Sequence, residues 1–192
     1  MNVLIAGHSY VRRLDFDLKV RQLRFLLQDV NVTLCGYGGA TIRAPKPLLP
    51  CMRAKTILSG HDMVILDLGS NDLDTVRHPE VDTHELAQEY LDLAKYLLEY
   101  GAKTIVLCLP IPRSERAFPG SFERTSTFND HVTRECKDTP NVYTWFHKGL
   151  FKRDGKYLDK HGVHLNALGS IKYFHSLRAA VKFHGRKIPN TN

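Results

Sequence analysis

Five short apolar runs, at 2–7, 30–36, 63–68, 104–109 and 141–146, set the strongest limit on how this chain can fold. They are rich in β-branched residues and nearly continuous instead of alternating, so each reads as a strand covered on both faces, the mark of a parallel sheet. Segments of helical spacing fall between and after them, at 17–28, 50–59, 84–100, 121–137 and 166–183. In the third of these, Leu86, Tyr90, Leu93, Leu97 and Tyr100 recur at three- and four-residue steps and form one apolar stripe for packing on a sheet. Strands alternating with helices predict an α/β fold, a three-layer α/β/α sandwich with right-handed crossovers. Open sheets of this kind bind ligands beyond the carboxyl ends of their strands, where the strand order reverses.

With 192 residues the chain has room for one well-buried core. Residues 1–185 read as a single domain and 186–192 as a tail. No apolar run approaches the roughly 20 residues that span a bilayer, and the apolar start stops at Gly7-His8, unlike a secretory signal. Cys35, Cys51, Cys108 and Cys136 are widely spaced with no C-x-x-C pair, which argues against a zinc knuckle or a dithiol redox site and fits a reducing, intracellular setting. The formal charge of +7 admits nucleic acid as a partner through a basic surface. The basic residues are scattered, however: Arg12, Arg13, Lys19, Arg21 and Arg24 lie near the first helix, and Lys182, Arg186 and Lys187 lie at the end.

Three polar clusters stand at strand ends or helix starts. Gly7-His8-Ser9 follows the first run, Gly69-Ser70-Asn71-Asp72 follows the third, and His161-Gly162-Val163-His164-Leu165-Asn166 precedes the last helix. A serine hydroxyl becomes a nucleophile only when a base takes its proton, and His164 is the candidate base. Acyl transfer also needs donors for the developing oxyanion. The amide of Ser9, the amide of Gly39 in the Gly36–Thr41 turn and the carboxamide of Asn71 would supply them. Simpler roles also exist: Gly36, Gly38 and Gly39 could serve a tight turn, and Asn71-Asp72 could cap a following helix.

On these residues the chain resembles the SGNH hydrolases, also called GDSL-type esterases and lipases. Gly7-His8-Ser9 aligns with the nucleophile block, Gly39-x-Thr41 with the oxyanion glycine, Gly69-Ser70-Asn71-Asp72 with the oxyanion asparagine, and His164 with the general base. The resemblance implies a flavodoxin-like five-stranded parallel sheet in the order 2-1-3-4-5 and hydrolysis of esters or small acyl groups without a cofactor. A weaker resemblance, in the segment Gly7 to Leu14, is to esterase-like domains of retroelement-encoded proteins.

Two positions depart from the family pattern. His8 replaces the usual Asp before the nucleophile, and His161 replaces the Asp that orients the base from three residues upstream. Three expectations follow: a Ser9–His164 dyad oriented by a carbonyl or water, a substitute carboxylate from Asp159 or Asp72, or a degenerate domain that only binds, with RNA as the ligand. His8, His161 and His164 lack a carboxylate or cysteine at recognisable spacing, so no metal is expected. The loops at 40–50, 73–83 and 110–121 would shape the substrate cleft, with 110–121 as one wall. Oligomeric state is not encoded in any local pattern.

Overall fold

The computed structural model describes residues 1–21, 24–43, 48, 50, 60–186 and 188. Strands β1 (Asn2–Gly7), β2 (Asn31–Gly36), β3 (Met63–Asp67), β4 (Thr104–Leu109) and β5 (Val142–Phe146) pair in parallel, in the order β2-β1-β3-β4-β5. This is the expected three-layer α/β fold with strand order 2-1-3-4-5. Every residue of β3 and β4 is buried, whereas the edge strands β2 and β5 are only partly covered. Continuous apolar runs therefore mark the centre of the sheet, as double-sided burial requires.

Four helices are described along their length: α1 (Ser9–Arg21), α2 (Thr83–Glu99), α3 (Ser121–Glu135) and α4 (Ala167–Gly185). Alternate strand residues divide the core. Leu4, Ala6, Val64, Leu66, Ile105 and Leu107 pack with Leu86, Tyr90, Phe128 and Val132 of α2 and α3. On the other face Val3, Ile5, Met63, Ile65, Val106 and Cys108 meet Val11 and Leu14 of α1 and Tyr173, Leu177 and Val181 of α4. Each fully buried aliphatic side chain contributes about 1.5–3 kcal/mol, so the period-two alternation of the strands decides which helix covers which face. Tyr90 adds a polar pin: its hydroxyl donates to the Leu66 carbonyl at 2.7 Å and accepts the Leu68 amide at 3.4 Å, fixing the carboxyl end of β3.

The first helix differs from expectation. The spacing predicts 17–28, but α1 begins at Ser9 and ends at Arg21. The cause is local: the His8 ring Nδ1 accepts the Tyr10 amide at 3.4 Å and so caps the helix, and Tyr10, Val11 and Leu14 supply its buried face. Leu26 and Asp29 adopt left-handed backbone conformations (φ 42° and 55°) that no helix tolerates. Of the helix expected at 50–59 only Pro50 lies among the described residues, where it is helical; residues 51–59, with Cys51, lie outside them. The later helices start within a residue of their predicted positions, and α3 gives way to a 3-10 turn at Cys136–Asp138. The tail beyond Arg186 is described only at Ile188, which packs against the core. No helix among the described residues is long and apolar enough to cross a membrane.

Gly36 sets how closely α1 approaches the sheet. A Cβ there would lie 2.1 Å from the Arg12 amide nitrogen and 2.4 Å from the Arg12 Cα, both backbone atoms that cannot swing aside. Gly36→Ala is expected to destabilise by at least about 1–3 kcal/mol. Circular-dichroism melting should show a Tm lowered by several degrees, and an unchanged Tm would mean that α1 can withdraw without cost.

Candidate active site

The sheet register aligns Gly7, Gly36 and Asp67 at one level, because Gly7 pairs with both of the others. The chain leaves all three strands there, and the order reverses between β1 and β3. Ser9, Gly39 and Asn71 follow two, three and four residues beyond that line, at the crevice where open sheets hold their ligands. Ser9 opens α1, and its amide is one of the first-turn donors that have no partner within the helix. Gly7 permits this geometry, since a Cβ there would stand 2.4 Å from the Asp67 carbonyl, which accepts the His8 amide at 3.1 Å.

Gly39 is exposed, with φ at 76°, a conformation that favours glycine. Next to it, the Ala40 carbonyl accepts Asn71 Nδ2 at 2.8 Å. Asn71 Oδ1 in turn accepts Nη2 of Arg113 at 2.9 Å, and Nη1 of Arg113 pairs with Asp74. Both members of that ion pair are buried. Asp72 plays neither suggested part. It accepts the amides of Ile42 and Arg43, each at 3.1 Å, and so ties the loop after β2 to the loop after β3. Burial raises its pKa despite those donors. No helix directly follows Asn71-Asp72, where turns continue to residue 80, so the helix-cap reading is also overturned.

His164 stands on a small hairpin. Leu158 and Leu165 form an antiparallel bridge, the Asp159 amide donates to the His164 carbonyl at 2.6 Å, and the Asn166 amide donates to Tyr157 at 2.9 Å. Asp159 and His164 therefore face each other across the hairpin, with Oδ2 at 3.6 Å from Nδ1. The other carboxylate oxygen accepts the amides of His161, Val163 and His164 at 3.1–3.4 Å. Partial burial works to raise the Asp159 pKa, but these amides and the imidazole outweigh it and hold it low. His164 is also shifted down, by burial and by the Arg13 charge, against the opposing pull of Asp159. His161 is exposed.

Tyr10 joins the hairpin to the nucleophile helix, its hydroxyl donating to the Val163 carbonyl at 2.7 Å. It connects the residue after Ser9 to the residue before His164. The wall expected at 110–121 meets the same hairpin, since the Ser114 amide donates to the Gly162 carbonyl at 3.0 Å. Among the described residues no hydrogen bond joins Ser9 Oγ to His164, an arrangement familiar in unliganded sites, where catalytic contacts tighten on binding.

Beneath Ser9 lies a buried carboxylate. Asp67 Oδ1 is 3.5 Å from His8 Nε2, and Oδ2 accepts the Tyr173 hydroxyl. His8 Nε2 is also 3.2 Å from Ser70 Oγ. Burial acts to raise the Asp67 pKa, yet His8, His147 and Tyr173 together hold it below the usual carboxylate range. His8, exposed to only 1%, thus caps α1 while turning its other nitrogen to Asp67.

The structure brings Ser9, Gly39, Asn71, His164 and Asp159 to one edge of the sheet, leaves His161 exposed and sets Asp72 between two loops. Sequence reasoning missed Arg113, Tyr10 and Asp67. Asp67 alone carried a signal, as a charge inside an otherwise apolar strand run. Among the described residues no cluster of three or more His, Cys, Asp or Glu side chains could hold a metal.

No protein-family model matches the sequence, and no curated protein matches it significantly. Solved structures do match. A member of the lipolytic protein G-D-S-L family from Veillonella parvula superimposes with a TM-score of 0.71 at 15% identity, over 95% of this chain and 98% of that one. The acetyl xylan esterase AlAXEase gives 0.70 at 20% identity, over 94% and 100%. Axe2, an acetylxylan esterase from Geobacillus stearothermophilus, gives 0.66 at 16% identity, over 94% and 93%. The chain has the α/β fold of these structures.

The buried network under Ser9 makes stability depend on pH. His147 is fully enclosed, with Nδ1 at 2.9 Å from Ser176 Oγ, and burial lowers its pKa from 6.5 to about 4. Between those values the unfolded chain binds a proton that the folded chain refuses, so stability falls as pH drops through this window. The downward shift of His164 adds in the same direction. Urea unfolding across the interval should show this slope, and His147→Gln should flatten it; an equal slope in the variant would assign the effect to other groups.

Proposed function

We propose that this chain is an SGNH-type serine hydrolase acting on carboxylic esters or small acyl groups. Ser9 Oγ gives its proton to His164 and bonds to the acyl carbon, and negative charge moves to the carbonyl oxygen. The amides of Ser9 and Gly39 and the free N–H of the Asn71 carboxamide receive that charge. Collapse breaks the ester bond, and His164 returns the proton to the departing alkoxide. Water, deprotonated by His164, then releases the acid and restores Ser9.

The observation that carries this reading is the Asp159–His164 pair at 3.6 Å, on a hairpin tied to the nucleophile helix by Tyr10. It answers the strongest objection from the sequence, the loss of the orienting Asp at position 161. A carboxylate on Nδ1 fixes the imidazole tautomer and stabilises the imidazolium that forms during turnover. It comes from five residues upstream instead of three because it crosses a hairpin.

Hydrolysis of p-nitrophenyl acetate tests the assignment. Ser9→Ala and His164→Ala should abolish enzyme-dependent turnover, and Asp159→Asn should lower kcat by a factor on the order of 10²–10⁴. The acidic limb of kcat/KM should lie below the ordinary imidazole range because His164 is shifted down, and Asp159→Asn should move it lower still by removing the charge that favours imidazolium. Turnover in Ser9→Ala equal to the parent would remove the mechanism.

A further inference from the structure

We infer that Arg113 is a positioning residue for the reaction, one that fixes which face of the Asn71 carboxamide meets the oxyanion. The inference rests on the hydrolase reading but concerns a residue outside the nucleophile, base and oxyanion set. A carboxamide is almost symmetrical in shape, and only its hydrogen-bond partners decide where the nitrogen and oxygen lie. Asn71 has one partner of each kind. The Arg113 guanidinium can only donate and holds Oδ1 at 2.9 Å; the Ala40 carbonyl can only accept and holds Nδ2 at 2.8 Å. Reversing the carboxamide would set N–H against N–H and oxygen against oxygen. The second N–H on Nδ2 then remains for the substrate.

Arg113 is itself held from several sides. Its Nη1 pairs with Asp74, which also accepts the amides of Val76 and Arg77 at 3.0 Å each. Its backbone amide donates to Ser121 Oγ at 3.0 Å, at the start of α3, and its guanidinium lies 4.7 Å from the Phe118 ring centroid. Arg113 is only 6% exposed, so water competes weakly for these contacts. The positive charge also draws electron density from Oδ1 and makes the free N–H a stronger donor as negative charge develops opposite it. Lysine offers one point charge instead of a fork and cannot reach Asn71 and Asp74 in the same geometry.

The test is a double-mutant cycle on Ser9-dependent hydrolysis of p-nitrophenyl acetate. Arg113→Met should lower kcat about 10- to 100-fold with KM within about threefold of the parent, and Arg113→Lys should fall between. In an Asn71→Ala background Arg113→Met should cost almost nothing further, because the carboxamide it orients is gone. Arg113→Met leaves the buried Asp74 with only the exposed Arg77, whose Nε lies 3.7 Å from Oδ2, as counter-charge, so the Arg113→Met/Asp74→Asn double variant supplies the same kinetic comparison if the single variant unfolds. In ¹⁵N spectra the Asn71 side-chain amide should lose its fixed environment in either variant. A kcat within twofold of the parent, or an equal loss with and without Asn71, would overturn the inference while leaving the hydrolase reading intact. A parent protein without Ser9-dependent turnover would overturn both.

Discussion

A carboxylate enclosed by protein is stable as an anion only where neighbouring groups replace the water it has lost, and Asp67 meets that condition with groups from separate parts of the chain. His8 comes from the junction of β1 and α1, Tyr173 from α4, and His147 from just beyond β5. Breaking any of these contacts would expose the cost of a buried charge, so the carboxylate couples both helices of one layer to the end of the central strand. The strand carbonyl of the same residue holds the His8 amide. Ser9, two residues beyond the level of Asp67, therefore takes its position from that charge through His8.

This arrangement explains how a histidine can hold position 8. The cap of α1 needs an acceptor for an orphan amide, and the unprotonated Nδ1 of His8 provides one. An aspartate at position 8 would bring a second anion close to Asp67. With histidine, the other nitrogen can carry a proton toward the carboxylate, so one ring satisfies two demands of opposite polarity.

The strands were legible because double-sided burial leaves continuous apolar runs, and the stripe from Leu86 to Leu97 marked α2 for the same reason. The start of α1 was not legible: the capping residue was a histidine, a poor sequence signal, and the buried face began at Tyr10 within two residues of the strand. Ser9, Gly39, Asn71 and His164 could be nominated because the first three follow strand runs and the last precedes a helix. The partner of His164 could not be fixed, since sequence spacing does not reveal that residues 158–165 fold back as a hairpin. Arg113 left no local trace at all. Its contacts reach 39 and 42 residues away, to Asp74 and Asn71, and only the folded chain brings them together.

Two acidic groups thus divide tasks that differ in their exposure. Asp67 is sealed in, and the free energy of its compensation goes into holding β3, α1 and α4 in register. Asp159 keeps about a quarter of its side-chain surface and sits on a hairpin at the rim. Water near that pair weakens its Coulomb attraction, so Asp159 cannot raise the His164 pKa strongly, and burial with the Arg13 charge leaves the imidazole shifted down. That shift favours the neutral imidazole, the form that the proposed mechanism needs to take a proton from Ser9. A stronger pair would hold the imidazolium more firmly and leave less of the free base, whereas here partial burial and the Arg13 charge outweigh the carboxylate.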